Sequence, residues 1–299
     1  MELNTVIVTG PARPAATLIM LRDGAAGLEV FLLKRHGLSN VLGGAYVFPG
    51  GKVDRSDAEL DMAAHIDQAL PDLHAALNEA DIDERTAAGL YVAALREAFE
   101  ESGVLFAQGV TSEHTARATD LLGAGLAFNE VLAKLQLRLL ASSLVPWSRW
   151  ITPHLPSLTS KRFDTRFFVA ALPTGQTATH DNHETTASVW LRPRAALEQY
   201  RDGSLVLAPP QIMTLAHLTR YSHVLDVLAD ARSRMPPVIQ PEPLEIEGCR
   251  VVCYPGDELH SVRERALPGP TRLRYRNNQF EPMEGFEALF TSVAGGPEI

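Results

Sequence analysis

Two short stretches decide how this chain is read: VFPGGKVDRSD at residues 47–57 and ALREAFEESGV at 94–104. In the second, Glu97, Glu100 and Glu101 are spaced by three and four. On a helix they share one face, about a turn apart. Three crowded carboxylates repel one another unless a cation stands among them. Hard divalent ions such as Mg2+ and Mn2+ prefer oxygen donors of this kind. Arg96 lies four residues before Glu100, and its guanidinium can hold a carboxylate through paired hydrogen bonds. A solvated acidic face is the plain alternative for the cluster taken alone. In the first stretch, Pro49 fixes one backbone angle and Gly50-Gly51 permit unusual ones, so backbone can come close to a phosphate or metal. An ordinary tight turn is its plain alternative.

Working outward, residues 15–21 and 28–34 are expected to form two strands joined by a Gly-rich connection. Residues 45–48 form a short strand ended by Pro49-Gly50-Gly51. Residues 57–83 carry helical patterning with a break at Pro71. Asp83 caps a helix from Glu84 to Ser102, and Gly103 ends it. A further helix is expected over 129–141, capped by Asn129. Strands follow at 144–151, 164–171 and 187–191, then helices at 193–200 and 209–230, each beginning near a proline. From residue 231 the chain turns Pro-rich and irregular, with strand character at 249–254.

Joined in this order, the two stretches resemble the signature of the Nudix hydrolases. That signature runs Gly, five residues, Glu, seven residues, then Arg-Glu-aliphatic-x-Glu-Glu-x-Gly-aliphatic. Gly51 matches its first position; Arg96, Glu97, Ala98, Glu100, Glu101, Gly103 and Val104 match its second half. Two departures stand out. Asp57 occupies the place of the first glutamate, and residues 58–83 are inserted within the box. A split box resembles the branch that includes the peroxisomal coenzyme A diphosphatases and their bacterial relatives. The likeness extends over about residues 13–225, through FLLKRHGLSNVLGGAYVFPGG, RFDTRFFVAALP and LAPPQIMTLAHL.

The resemblance implies an α/β fold, a Nudix-like α/β/α sandwich with a mixed β-sheet, an insertion in the box and a C-terminal extension. It implies a domain over 1–230, with 58–83 as a helical insertion and 231–299 packing on it. It implies metal-dependent hydrolysis of a nucleoside diphosphate derivative with Mg2+ or Mn2+. Coenzyme A or acyl-coenzyme A is the favoured substrate; ADP-ribose, dinucleotides and nucleotide sugars remain alternatives, as does a non-catalytic nucleotide-binding module. Glu97, Glu100, Glu101 and Gly51 are then the metal site, and Arg96 orients a glutamate. The general base comes from the box helix, with Glu100 the candidate, or from Glu184 in a later loop. Lys34, Arg35, Arg162 and Arg166 are candidates for the substrate's phosphates. His180 and His183 are of a residue type that ligates metals, with merely polar loop histidines the plain alternative, and Trp147, Trp150 and Trp190 are expected in the core or a pocket wall.

Composition narrows the class. The 299 residues are 45% hydrophobic and 21% charged, with a net charge of −9. No Lys/Arg run suggests nucleic-acid binding, and no apolar stretch is long enough to span a bilayer. Cys249 and Cys253 lie on a short expected strand, which keeps them from pairing, so free thiols in a reducing compartment are expected. The start lacks a signal-peptide pattern, and the final Gly-Gly-Pro-Glu-Ile carries no prenylation or peroxisomal address. The expected setting is the cytoplasm, and the expected assembly a homodimer.

Overall fold

The computed structural model describes residues 4, 6–37, 42–155, 161–181 and 184–291. Strands β1 (Arg13–Gly24) and β2 (Gly27–Arg35) form the expected antiparallel hairpin. β3 (Tyr46–Val47) adds to β2, and β4 (Gly50–Lys52) pairs with β1. Then come α1 (Arg55–Glu59), α2 (Met62–His65), α3 (Leu70–Leu77), α4 (Glu84–Ser102), α5 (Ser112–Gly123) and α6 (Phe128–Leu135). β5 (Val145–Ile151), β6 (Phe163–Ala171) and β7 (Thr185–Leu191) precede α7 (Pro193–Arg201), α8 (Pro209–Leu218), α9 (Val224–Ser233) and β8 (Val238–Ile239).

These strands make one mixed sheet in the order β3-β2-β1-β6-β5-β8, with β4 on β1 and β7 on β2. β1 runs parallel to β6 at its centre. Strand alternation assigns the two faces. Ala16, Leu18 and Met20 face one core with α4, while Ile19 and Leu21 face another with α7, α8 and α9. Burial on both faces explains why β1 reads as a nearly continuous apolar run. The α/β/α sandwich is therefore as expected.

α4 occupies its expected span. The Asp83 carboxylate accepts from the Thr86 amide at 2.7 Å, and Gly103 closes the helix at φ 71°. A left-handed residue at this place is easiest for glycine. Ala87, Ala88, Ala93, Ala94 and Ala98 let the sheet approach closely, and all are fully buried. Gly89 does the same for the insertion: a Cβ there would meet Ala58 Cβ at 3.1 Å.

Several expectations are corrected. The insertion is three short helices, and Pro71 opens α3 rather than breaking a longer one. Pro lacks an amide hydrogen, which the first helical turn does not need. α6 begins at Phe128 with Ala127 as its cap; the Asn129 amide instead donates to the Ser56 carbonyl at 2.6 Å. The expected helix over 209–230 is two helices, α8 and α9. α5 was not anticipated, since its sequence is polar and only Ala118 is buried. The tail also forms more strand than expected. β9 (Glu242–Ile246), β10 (Cys249–Cys253), β11 (Arg272–Arg276) and β12 (Gln279–Pro282) make a second, antiparallel sheet in the order β12-β11-β10-β9. Its Val252, Leu273 and Phe280 join the α8 core. Cys249 is exposed and Cys253 buried, and both are free.

Candidate active site

The two quoted stretches meet. β4 lies beside the C-terminal half of α4, and the Gly50 amide donates to Glu101 Oε2 at 2.9 Å. A Cβ on Gly51 would stand 2.4 Å from Glu97 Oε1, so only glycine leaves room for that carboxylate. At Gly50 a Cβ would meet the Ala16 carbonyl at 2.5 Å, which ties this turn to the central strand.

Arg96 is the hub of the cluster. Its Nε and Nη2 donate to the two oxygens of Asp57 at 2.8 and 3.0 Å. Nη1 donates to Glu97 Oε1 at 2.8 Å and Glu100 Oε2 at 3.0 Å, and Nη2 also reaches the Lys52 carbonyl at 3.0 Å. Burial alone would depress this guanidinium; Asp57, Glu97 and Glu100 more than offset it and hold it charged. Asp57 is 1% exposed, and its second oxygen accepts from the Asp54 amide at 2.8 Å. The shorter carboxylate thus fastens the start of the insertion to the box helix.

Burial pushes Glu97 up to about 7 against the pull of Arg96, and Glu101 up to about 8 against the Gly50 amide. Glu100 is raised for the same reason. Such shifts follow from desolvation, which disfavours the charged carboxylates more than Arg96 and the Gly50 amide favour them. Among the described residues, no three His, Cys, Asp or Glu side chains are arranged as they stand to hold a metal ion. Glu97 and Glu100 instead point to Arg96, and Glu101 to the Gly50 amide. The donor chemistry nevertheless fits a hard divalent cation. It is all oxygen, largely buried, and set against a glycine whose missing Cβ leaves space.

The site opens into a cavity of about 550 Å³. Glu97, Gly50 and Gly51 line it, and so do Arg35 and Glu184. The Glu184 carboxylate is exposed and lies 4.0 Å from the Arg35 guanidinium. It is close enough to Glu97 and Glu101 to raise both. Arg35 Nε is buried with no hydrogen-bond partner.

The other substrate candidates fall elsewhere. Lys34 is exposed, with its ammonium 5.9 Å from the Tyr46 ring. Arg162 lies one residue before β6 and Arg166 within it, while Phe163, Thr165 and Phe167 of β6 line the cavity. Arg162 is buried and donates to the Thr152 and Gly10 carbonyls at 3.0 and 2.9 Å. Arg166 is buried against Glu79, which also pairs with Arg149. Both arginines are therefore structural in this arrangement. His180 contacts Ser188 at 3.2 Å and does not line the cavity; His183 lies outside the described residues. Trp147 and Trp150 are buried, and Trp190 packs 5.2 Å from Phe31.

Sequence reasoning missed Gln211. It opens α8, lines the cavity and is 7% exposed, and its Oε1 lacks a partner. The PPQ run after residue 208 was its only sequence signal. Pro241 and Val252, from the tail, also line the cavity.

The mixed sheet, the glycine turn and the carboxylate face of α4 are those of a Nudix hydrolase. Residues 2–218 match the NUDT19 Nudix domain, and the chain belongs to that family. It is 29% identical to the human acyl-coenzyme A diphosphatase NUDT19, over 86% of this chain and 79% of that one. Against the same-named protein of Xenopus laevis it is 26% identical, over 80% and 73%. Against a putative nudix hydrolase 7 of Caenorhabditis elegans it is 28% identical, over 89% and 80%. A crystal structure of a Nudix hydrolase from Alicyclobacillus acidocaldarius superimposes with a TM-score of 0.60 at 28% identity, covering 77% of this chain and 99% of that one. No described helix is long and apolar enough to cross a membrane.

Proposed function

We propose that this Nudix hydrolase cleaves the diphosphate of coenzyme A or an acyl-coenzyme A, giving adenosine 3′,5′-bisphosphate and an (acyl)phosphopantetheine. The observation that carries the reading is the cavity of about 550 Å³ in which Glu97, Gly50 and Gly51 share a lining with Phe48, Trp150, Phe163, Phe167 and Val252. The names of the similar proteins from human and Xenopus laevis support the same substrate.

Glu97, Glu100 and Glu101 would hold Mg2+ or Mn2+, and Gly51 leaves the space. When bound, the cation supplies charge screening on the diphosphate and acidifies water. Arg96 fixes the orientation of Glu97 and Glu100, and Asp57 fixes Arg96. Arg35 turns its unpartnered Nε to a phosphate oxygen, where a charge-assisted hydrogen bond is strong. Water attacks one phosphorus, the anhydride P–O bond breaks, and the electron pair leaves on the departing phosphate. Glu184 takes the proton from the attacking water. Its carboxylate lines the cavity and is open to solvent, so water can reach it.

We assign residues 1–230 to the Nudix domain, with 58–83 as the insertion and 231–299 as an extension that adds a cavity wall. The free thiols favour a cytoplasmic setting.

The test is product analysis with purified protein, Mg2+ or Mn2+, and a panel of coenzyme A, acyl-coenzyme A, ADP-ribose, a dinucleotide and a nucleotide sugar. Glu100→Gln and Glu101→Gln run beside it. Expected is metal-dependent release of adenosine 3′,5′-bisphosphate, lost in both variants. Preferential cleavage of ADP-ribose, with coenzyme A untouched, would overturn the substrate.

A further inference from the structure

The cavity has a direction. Its floor crosses four neighbouring strands, β4, β1, β6 and β5. Gly50 pairs with Thr17, Thr17 with Phe167, and the adjacent Thr165 with Trp150. Gly50, Thr17, Phe167, Thr165 and Trp150 all line the cavity. Three strand spacings separate the glycine turn from β5, about 14 Å. Beyond β5 the wall passes to the tail, where Pro241 precedes β9 and Val252 lies on β10.

The charge along this line is uneven. Arg35, Glu97, Glu184, Lys52 and Asp54 cluster at the glycine end. The floor residues from Thr17 to Trp150 are uncharged, and so are Val252 and Pro241. Lys161, two residues before β6, is the charged residue that also lines the cavity outside this floor. The buried Gln211 is the polar side chain that α8 sets against this stretch, with Pro209 and Pro210 beside it.

We infer that the uncharged arm of the substrate, the pantetheine chain and its acyl group, lies across β1, β6 and β5, with the acyl end against Val252 of the C-terminal sheet. This rests on the coenzyme A reading above and names where acyl selectivity resides. Once the diphosphate is held beside Glu97, two arms must be placed. The adenosine arm carries a 3′-phosphate, and desolvating that dianion on an uncharged track is unfavourable. The pantetheine arm is neutral and linear, and its amides give the Gln211 carboxamide a partner. The acyl group adds apolar area that the tail's wall can cover. The C-terminal extension thereby selects the acyl chain, while the box supplies the chemistry.

The experiment compares kcat/KM for free coenzyme A, acetyl-, octanoyl- and palmitoyl-coenzyme A in the wild type, Val252→Phe and Val252→Ala. Thermal melts of each variant run alongside. Val252→Phe should lower the octanoyl-to-free ratio by about ten-fold, the order that a misfit of a few carbons produces in an apolar pocket. Val252→Ala should shift the preference toward longer chains. If Val252→Phe does not fold, Thr165→Trp carries the test. Thr165 is half-buried in mid-track, so this change should raise KM for every coenzyme A substrate while leaving the melting temperature near that of the wild type. Folded variants with unchanged acyl ratios, or an unchanged KM in Thr165→Trp, would overturn the inference and leave the proposed reaction standing. A wild type that cleaves no coenzyme A compound would overturn both.

Discussion

Arg96 donates to both oxygens of Asp57, at 2.8 and 3.0 Å, across a sequence gap of 39 residues. The insertion begins directly after Asp57, so this ion pair fastens its start to the box helix. Removing one partner of such a buried pair typically costs about 3–5 kcal/mol. Asp57→Asn should fall near the lower end, since Glu97 and Glu100 still face Arg96. Chemical denaturation measures the loss. Stability equal to the wild type would show that Asp57 does not hold the box together.

Gly51→Ala separates space from fold. Its Cβ would displace the Glu97 carboxylate, the far end of a flexible side chain, so the melting temperature should barely move. Activity should fall by about 100-fold, the effect of misplacing a reacting group by roughly an ångström. Steady-state kinetics and a melt on one preparation check both halves.

The metal-free protein should lose stability as pH rises from 6.5 to 8. Glu97 at about 7 and Glu101 at about 8 are protonated in the fold over pH values where the unfolded chain has already released those protons. Stability then falls with pH because the unfolded state binds fewer protons. His217, held near 3 by burial, gives the opposite slope, but only below its ordinary 6.5. Melts in chelator across this window should show the decline, and Glu101→Gln should flatten it. Saturating Mg2+ or Mn2+ should raise the melting temperature most at pH 8, where protons compete least for the carboxylates.

Glu184→Gln tests the base. The side chain is exposed, so stability should stay within about 0.5 kcal/mol of the wild type. If Glu184 takes the proton, kcat should fall by about 100- to 10,000-fold. A kcat within a few-fold of the wild type would return the role to Glu100 on the box helix.

Arg166→Met tests the correction to the substrate contacts. Glu79 would keep Arg149 but lose its buried partner, so stability should drop by about 2–3 kcal/mol. KM should be unchanged for the protein that remains folded. A raised KM would bring Arg166 back to the substrate.

The chain's own order determined α4, because its signals are local. Asp83 caps its start, Gly103 ends it, and spacings of three and four place Glu97, Glu100 and Glu101 together. The hairpin and the central strands were legible for the same reason: alternation and turn residues act within a few positions. The α5 helix was not, since a surface helix with one buried residue leaves almost no apolar period. Only the tertiary structure decided which arginine faces the cavity. Arg35 and Arg166 are alike in sequence, yet burial leaves the Nε of one unpartnered at the cavity and closes the other on Glu79, 87 residues away. It also decided that Asp57 serves Arg96 and that the tail's Val252 walls the cavity. Ion pairing and packing of this kind depend on distances between residues remote in sequence, and no local pattern encodes them.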